Sequence, residues 1–242
     1  MKILIIPLLT LIASIGSCQQ HKSMAASNTS QKPVVVELFT SEGCSSCPSA
    51  DKLLAEMSDK NPNILLLSFH VDYWNRLGWV DSFSKAAYTQ RQYSYSSAMG
   101  LSGVYTPQAV VNGQYEAVGS NRNSITNFTR AKYEYSATFN SVNATINNNT
   151  VTVNILANDV PKNCELLVLL VQPHAGTKVK GGENSGSYLQ HKNVVRDMVI
   201  LQSNSATAKL TAPFASNDWK VVVLAQNKIN KHIEDTSYAD VK

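Results

Sequence analysis

Two apolar runs near the start of the chain most constrain its fold. They are VVVELF at residues 34–39 and ILLLSFH at residues 64–70, and both have the character of buried β-strands. Between them, residues 48–57 carry apolar side chains at the spacing of a short amphipathic helix, and the tripeptide NPN then breaks the chain. Because strands joined by a helical crossover run parallel, the pattern predicts a β-α-β unit with two buried strands.

The rest of the chain shows two kinds of pattern. Helices are predicted over residues 84–99 and 123–135, and Asn112-Gly113 between them predicts a tight hairpin turn. After Ser136 the chain continues as seven short strand-like segments with little helical pattern. We therefore predict an α/β domain over residues 32–136, followed by an all-β sandwich-like domain over residues 137–242.

A C-x-x-C motif stands between the first predicted strand and the first predicted helix. Its residues, Cys44 and Cys47, are two of the four cysteines in the chain. A thiolate at Cys44 would face the unpaired N–H groups and the positive dipole end of the helix, and both lower its pKa. The motif is compatible with a redox-active pair, with part of a metal site or with a structural disulfide. One such motif supplies only two metal ligands, and a disulfide across so short a loop adds little stability.

The N-terminus has the pattern of an export signal. Lys2 precedes an apolar run that ends in Ile-Gly-Ser-Cys18, which resembles the cleavage box of bacterial lipoproteins. We expect residues 1–18 to be a lipoprotein signal with Cys18 lipidated, or else an ordinary signal peptide cut nearby. Residues 19–31 are polar and predict a tether. The expected location is the bacterial cell envelope, in the periplasm and bound to a membrane through the lipid anchor only, where disulfides persist.

A second motif, VYTPQAVVNG, places Thr106 and Pro107 just before the predicted hairpin. Together with the C-x-x-C after the first strand, it resembles the thioredoxin fold. That resemblance implies that Pro107 is cis and lies against the cysteine pair, and that Thr106 offers backbone groups to an extended substrate. In this scheme Cys44 attacks and Cys47 resolves. The resemblance also gives Glu37 the role of a buried acid that assists proton transfer, the alternative being a glutamate that faces solvent.

Four stretches resemble one family more closely. They are ELFTSEGCSSCPSAD, SFHVDYWNRLGW, GVYTPQAVVNG and GENSGSYLQHKNVVRD. The family is a secreted bacterial one known as domain of unknown function 1223, and the resemblance runs from about Val34 to the C-terminus. It implies an α/β thioredoxin-like domain followed by an all-β sandwich-like domain. Because the activity of that family is not established, the resemblance bears on fold more than on function.

The stretch HVDYWNRLGW follows the second predicted strand. Parallel strands end at one edge of a sheet, and binding sites form outside that edge. Candidates for substrate binding beside the cysteine pair are therefore His70, Asp72, Tyr73 and Trp74. The alternative is that the aromatic side chains of this stretch cover the core.

The leading prediction is an exported thiol–disulfide oxidoreductase that acts on envelope protein thiols or disulfides through Cys44 and Cys47, with an envelope redox partner as a further candidate. No cofactor is expected, because the electrons pass between sulfur atoms. The first alternative is a copper carrier that binds the metal with Cys44, Cys47 and His70, since thiolates and imidazole suit copper. The second is a non-catalytic interaction module. The net charge of +4 is mild and scattered, which argues against nucleic-acid binding.

Overall fold

The computed structural model describes residues 32–202, 205–216 and 218–242, and Lys32–Lys242 form one compact unit. The predicted signal peptide, the tether and the lipidation of Cys18 lie outside the described residues, so they stay predictions. Within the described ranges, no helix combines the length and the apolar character needed to cross a bilayer.

Strands dominate the described part of the chain, which has eleven strands and three α-helices. The first part alternates between the two kinds of element: β1 (Val34–Thr40), α1 (Cys47–Lys60), β2 (Ile64–His70), α2 (Ala86–Ala98), β3 (Gln108–Val111), β4 (Tyr115–Val118) and α3 (Arg122–Thr129). The second part contains only strands among its described elements: β5 (Thr138–Asn147), β6 (Thr150–Asp159), β7 (Cys164–Lys178), β8 (Tyr188–Leu201), β9 (Ser205–Thr211), β10 (Lys220–Asn227) and β11 (Ile233–Asp240).

Eight of the strands form one mixed sheet, in the order β11-β10-β7-β8-β2-β1-β3-β4. β1 and β2 are parallel along their whole length, which confirms the predicted β-α-β unit. β8 lies next to β2 and pairs with it in parallel at Ser68↔Val194. Side chains strengthen this seam, since Ser68 donates to the carbonyl of Lys192 at 2.8 Å and Asn193 donates to the carbonyl of Leu66 at 3.0 Å.

The predicted fold class, an α/β thioredoxin-like domain followed by an all-β sandwich-like domain, is wrong. Four strands of the second part, β7, β8, β10 and β11, extend the sheet begun by β1 and β2 instead of forming a sandwich of their own. The result is a mostly β protein built on one large sheet with three helices among its described residues. Two physical demands favour this arrangement. β2 would otherwise expose an unpaired edge, and β7, which is buried over residues 166–171, needs a covering layer on both faces.

Different elements cover the two faces of the large sheet. α2 packs on one face, where Tyr88 and Tyr95 join a core that includes Val35 and Phe39 of β1. α1 and α3 pack on the opposite face, and the small sheet β5-β6-β9 covers the β7 and β10 end of that face. Because side chains alternate along a strand, Glu37 points to the α2 side, away from α1.

The β3–β4 hairpin has the turn that the sequence predicts. Asn112 and Gly113 have φ values of 49° and 68°, in the left-handed region that this turn type requires. A Cβ atom on Gly113 would overlap the carbonyl group of Lys231, in the connection between β10 and β11. The glycine is therefore needed both for the turn and for close packing against the opposite half of the chain.

Candidate functional site

Cys44 and Cys47 form a disulfide at the junction of β1 and α1, with their Cα atoms 5.4 Å apart. Cys47 is the first residue of α1, and Cys44 lies on the turn before it. Among the described residues, the N-cap Ser46 makes no side-chain capping bond and no acidic residue occupies the first turn. The positive dipole end of α1 is therefore not offset by a side-chain cap or a first-turn carboxylate, and it can stabilise a thiolate in this motif.

Pro107 lies beside the first turns of α1, and the Thr106–Pro107 peptide is cis. Pro107 is buried, and its carbonyl accepts a hydrogen bond from the N–H of Gly119 at 2.9 Å. A Cβ atom on Gly119 would be 3.1 Å from the Cβ of Ala50 and 3.3 Å from the Cβ of Pro107, so these three residues are in close contact. Ala50 is one helical turn beyond Cys47, which places Pro107 near the disulfide.

Trp74 links residues 42–45, which we call the disulfide turn, to Thr106. Its indole Nε1–H donates to the hydroxyl of Thr106 at 2.8 Å. Its Cβ atom would stand 3.2 Å from a Cβ built on Gly43, the residue before Cys44. These contacts place one predicted substrate-binding residue beside the disulfide. Trp74 is half-buried, so part of its side chain is open to solvent.

The other three residues predicted to bind substrate make their hydrogen bonds away from the disulfide. His70 is fully buried, and its Nδ1 is 2.7 Å from Asp81. Asp72 accepts a hydrogen bond from the hydroxyl of Thr89 on α2 at 2.6 Å. Tyr73 bonds to Gln92 on the same helix, and burial raises the pKa of Tyr73 to about 12. Asp72 and Tyr73 therefore fasten the segment after β2 to α2.

Glu37 is buried, but its partners lie on α2. Its carboxylate accepts two hydrogen bonds from the Arg91 guanidinium at 2.5 and 2.8 Å, and a third from the hydroxyl of Tyr95 at 2.5 Å. Burial opposes the charge on Arg91, but the charge of Glu37 outweighs it and raises the pKa of Arg91. The structure therefore places Glu37 in an ion pair on the face opposite α1 and does not bring it to the cysteine pair.

Three buried charged residues that the sequence did not place at the motif lie next to it, and we call them the acid–histidine cluster: Glu42, Asp51 and His191. The Nδ1 of His191 is 3.2 Å from Asp51, and its Nε2 is 3.6 Å from Glu42. Trp79 donates to the other oxygen of Glu42 at 2.7 Å, and Thr40 donates to Asp51 at 2.8 Å. Asp51 lies on α1 one turn beyond Cys47, and both side chains are buried.

The cluster holds a positive charge on His191. Burial by itself would lower the pKa of His191, but its contacts with Asp51 and Glu42 outweigh burial and raise the pKa to about 9. Next to the cluster, burial would raise the pKa of Asp81, yet His70 and the backbone N–H groups of Glu42 and Phe83 lower it. The base of the site therefore contains three buried carboxylates, Glu42, Asp51 and Asp81, in contact with the imidazole rings of His191 and His70.

The structure does not bring Cys44, Cys47 and His70 together as ligands of a copper ion. The two sulfur atoms are bonded to each other, and His70 holds Asp81. His70 Nε2 is buried without a hydrogen-bond partner among the described residues, and the His70 and His191 rings are 4.6 Å apart. Even so, no group of three or more His, Cys, Asp or Glu side chains in residues 32–202, 205–216 and 218–242 is arranged to hold a metal ion. The copper carrier stays a prediction.

The loop between β7 and β8, residues 179–187, lies over the disulfide turn, and we call it the covering loop. Its Glu183 accepts a hydrogen bond from the N–H of Ser45 at 3.0 Å. Its Asn184 donates to the carbonyls of Glu42 and Cys44, both at 2.9 Å. The exposed fraction is 1% for Cys44 and 0% for Cys47, so the disulfide is closed off from solvent.

A groove of about 590 Å³ runs along α1 next to the disulfide. Pro48 and Asp51 line it from the helix, and Tyr188, Gln190 and His191 line it from β8. The groove therefore joins the acid–histidine cluster to the surface.

Fold and site together define a class: β-rich proteins with one large mixed sheet and a buried C-x-x-C disulfide at a strand-to-helix junction. The chain belongs to the family described as protein of unknown function (DUF1223), which matches residues 35–226. This match confirms the family resemblance seen in the sequence.

Two solved structures are similar to the chain. A protein of Agrobacterium tumefaciens, known from its crystal structure, is 30% identical with a TM-score of 0.65, over 87% of this chain and 95% of that one. HBP35 of Porphyromonas gingivalis is 17% identical with a TM-score of 0.60, over 89% of this chain and 77% of that one, which shows a shared fold alone. No curated protein matches the chain.

Proposed function

We propose that the protein exchanges disulfides with the thiols or disulfides of exported proteins through Cys44 and Cys47. The observation that carries the proposal is the position of the disulfide at the N-terminus of α1, where the N-cap makes no side-chain capping bond within the described chain. A purely structural disulfide would do little here, because loop entropy gives about 2 kcal/mol for a loop of about four residues, against about 5 kcal/mol for about 100 residues.

The exchange begins when a client thiolate attacks the sulfur of Cys44. A bond forms between the client sulfur and Cys44, the Cys44–Cys47 bond breaks, and its electron pair goes to Cys47, which takes up a proton. A second client thiolate then attacks the client sulfur of the mixed disulfide, and Cys44 leaves as a thiolate stabilised by the N-terminus of α1. The client dithiol is oxidised and Cys44–Cys47 is reduced. The reverse sequence reduces a client disulfide, and the relative potentials set the direction.

Cys44 is the better candidate for the attacked sulfur. It lies on the turn and is followed by Ser45 and Ser46, which are exposed. Cys47 instead belongs to the buried stripe of α1, together with Ala50 and Leu54. An incoming client therefore reaches Cys44 first, and Cys47 is placed to close the ring again from the helix.

The acid–histidine cluster gives Cys47 a source of protons. Asp51 lies four residues beyond Cys47 on the same buried side of α1, where helical side chains are neighbours. Asp51 contacts the His191 cation, so a proton is held one side chain away from the sulfur that must accept it. The groove along α1 gives this cluster a path to the surface.

The proposal is tested by trapping in the full chain. Cys47→Ser leaves Cys44 free to form a mixed disulfide with insulin that cannot be resolved, whereas Cys44→Ser leaves the motif only the buried thiol of Cys47. We expect the first variant, and not the second, to give an insulin adduct on a non-reducing gel. Cys164→Ser is the matched control, because Cys164 is buried in β7 and burial raises its pKa.

The proposal fails if neither variant forms an adduct and the wild-type protein neither reduces insulin nor oxidises a reduced client. That result would favour the non-catalytic interaction module with a structural disulfide.

A further inference from the structure

The disulfide is buried, and the segment that lies over its turn is bonded to the backbone of that turn by hydrogen bonds. We infer that the covering loop, residues 179–187, occupies the surface on which an extended client chain must lie, and that this loop has to be displaced before exchange. This inference rests on the proposed function and adds a partner surface and its regulation to the same site.

Three backbone atoms of the disulfide turn define that surface. They are the N–H of Ser45 and the carbonyl oxygens of Glu42 and Cys44, and the covering loop binds all three. An extended polypeptide carries the same chemistry, because its backbone presents C=O acceptors and N–H donors in alternation. The surface therefore fits an unfolded or extended segment of a client protein, and Glu183 and Asn184 stand in for that segment when no client is bound.

The covering loop can separate from the disulfide turn as a unit. Its ends are tied to each other, since the N–H of Val179 donates to Ser187 and the N–H of Gly186 donates to Val179, both at 3.0 Å. Val179 is buried at this base, whereas Glu183 and Ser187 are exposed. Displacing the loop thus breaks its three bonds to the disulfide turn while its base remains anchored between β7 and β8.

The covering loop makes a second contact, in which its backbone packs closely against residues 78 and 79. A Cβ atom on Gly181 would overlap the carbonyl oxygen of Gly78, and one on Gly182 would be 3.2 Å from the Cβ of Trp79. Gly181 has no positive φ, so its missing side chain is required by this approach rather than by backbone conformation. Adding a methyl group there is a way to displace the loop without changing the side chains that make its hydrogen bonds.

The test measures how fast dithiothreitol reduces the Cys44–Cys47 disulfide in the full oxidised chain. Dithiothreitol is oxidised to its cyclic disulfide, and the two new cysteine thiols are counted by maleimide labelling and mass. We expect Asn184→Ala to react about tenfold faster, because losing two hydrogen bonds favours the open state by about 1.4 kcal/mol. Gly181→Ala should also react faster than the wild type.

Two matched controls should keep the wild-type rate. Ser185→Ala changes an exposed side chain of the same loop that has no hydrogen bond among the described contacts, and Gly103→Ala places a methyl group where nothing lies within 4 Å. Equal rates in all five proteins would overturn the inference. So would an acceleration in Asn184→Ala that merely equals the fall in global stability in urea, because reduction would then proceed through unfolding.

Insulin exchange separates this inference from the proposed function. If the loop variants speed reduction by dithiothreitol but neither they nor the wild type exchange with insulin, the covering loop stands and the proposed function falls. If the wild type exchanges with insulin and no loop variant changes its rate of reduction or exchange, the proposed function stands and the covering role falls.

Discussion

Replacing His191 by glutamine removes a buried cation from between two carboxylates. In the wild type, His191 lies 3.2 Å from Asp51 and 3.6 Å from Glu42, and its exposed fraction is 5%. Glutamine keeps much of the volume and can still donate a hydrogen bond, so the change isolates the charge. The variant tests whether the acid–histidine cluster is held together by a protonated imidazole.

The size of the effect follows from linkage. The pKa of His191 rises from 6.5 to about 9 in the folded protein, which corresponds to about 3 kcal/mol of stability. Because the folded pKa is above the unfolded one, this stabilisation is fully present below pH 6.5 and is lost as pH rises through about 9. His191→Gln should therefore lower the free energy of unfolding by about 3 kcal/mol at pH 6 and by much less at pH 10.

The assay is urea unfolding of the oxidised wild-type and variant proteins at intervals between about pH 6 and pH 10. His174→Gln is the matched control, because His174 is exposed. The control should follow the wild-type curve at every pH. A stability difference between wild type and His191→Gln that stays constant from pH 6 to pH 10 would refute the reasoning, since a neutral imidazole would then account for it.

Two further predictions concern the packing that supports the site. Glu37→Gln leaves the Arg91 charge buried and partly unpaired, so the urea midpoint should fall by the equivalent of about 3 kcal/mol or more. Insulin exchange by this variant should retain its wild-type pH dependence. A changed pH dependence would instead give Glu37 a part in proton transfer. Gly113→Ala should lower the melting temperature, by the equivalent of at least about 2 kcal/mol, because the methyl group overlaps the Lys231 carbonyl and the residue has φ of 68°. The control Gly103→Ala should melt at the wild-type temperature. Equal melting temperatures of the two variants would contradict the packing argument.

Elements determined by neighbouring residues could be predicted from the sequence. β1, α1 and β2 follow from apolar periodicity, and the β3–β4 hairpin follows from Asn112-Gly113. The partners of the later strands could not be predicted in this way. The seam between β2 and β8 joins Ser68 to Lys192, which are 124 residues apart, and no local pattern specifies such a pairing.

Some residues of the candidate site could likewise be placed from the sequence, and others could not. Cys44, Cys47 and Trp74 could be placed together, because they follow the carboxyl ends of two adjacent parallel strands. Asp51 and His191 could not, because a charged side chain indicates a surface position unless its partner is known. One signal was present for Asp51, which interrupts the buried stripe of α1 that runs through Cys47, Ala50 and Leu54.

The site is completed by residues that are far apart along the chain. The contacts of Ser45 with Glu183, of Glu42 with Asn184 and of Asp51 with His191 span 138, 142 and 140 residues. Ribosomes make the N-terminal part first, so the two cysteines of a nascent chain exist well before β8 can dock against β2. Long-range strand pairing is also slow to form. A newly made molecule therefore passes through a stage in which its cysteine pair is open to any thiol or oxidant, and arrival of the second half ends that stage.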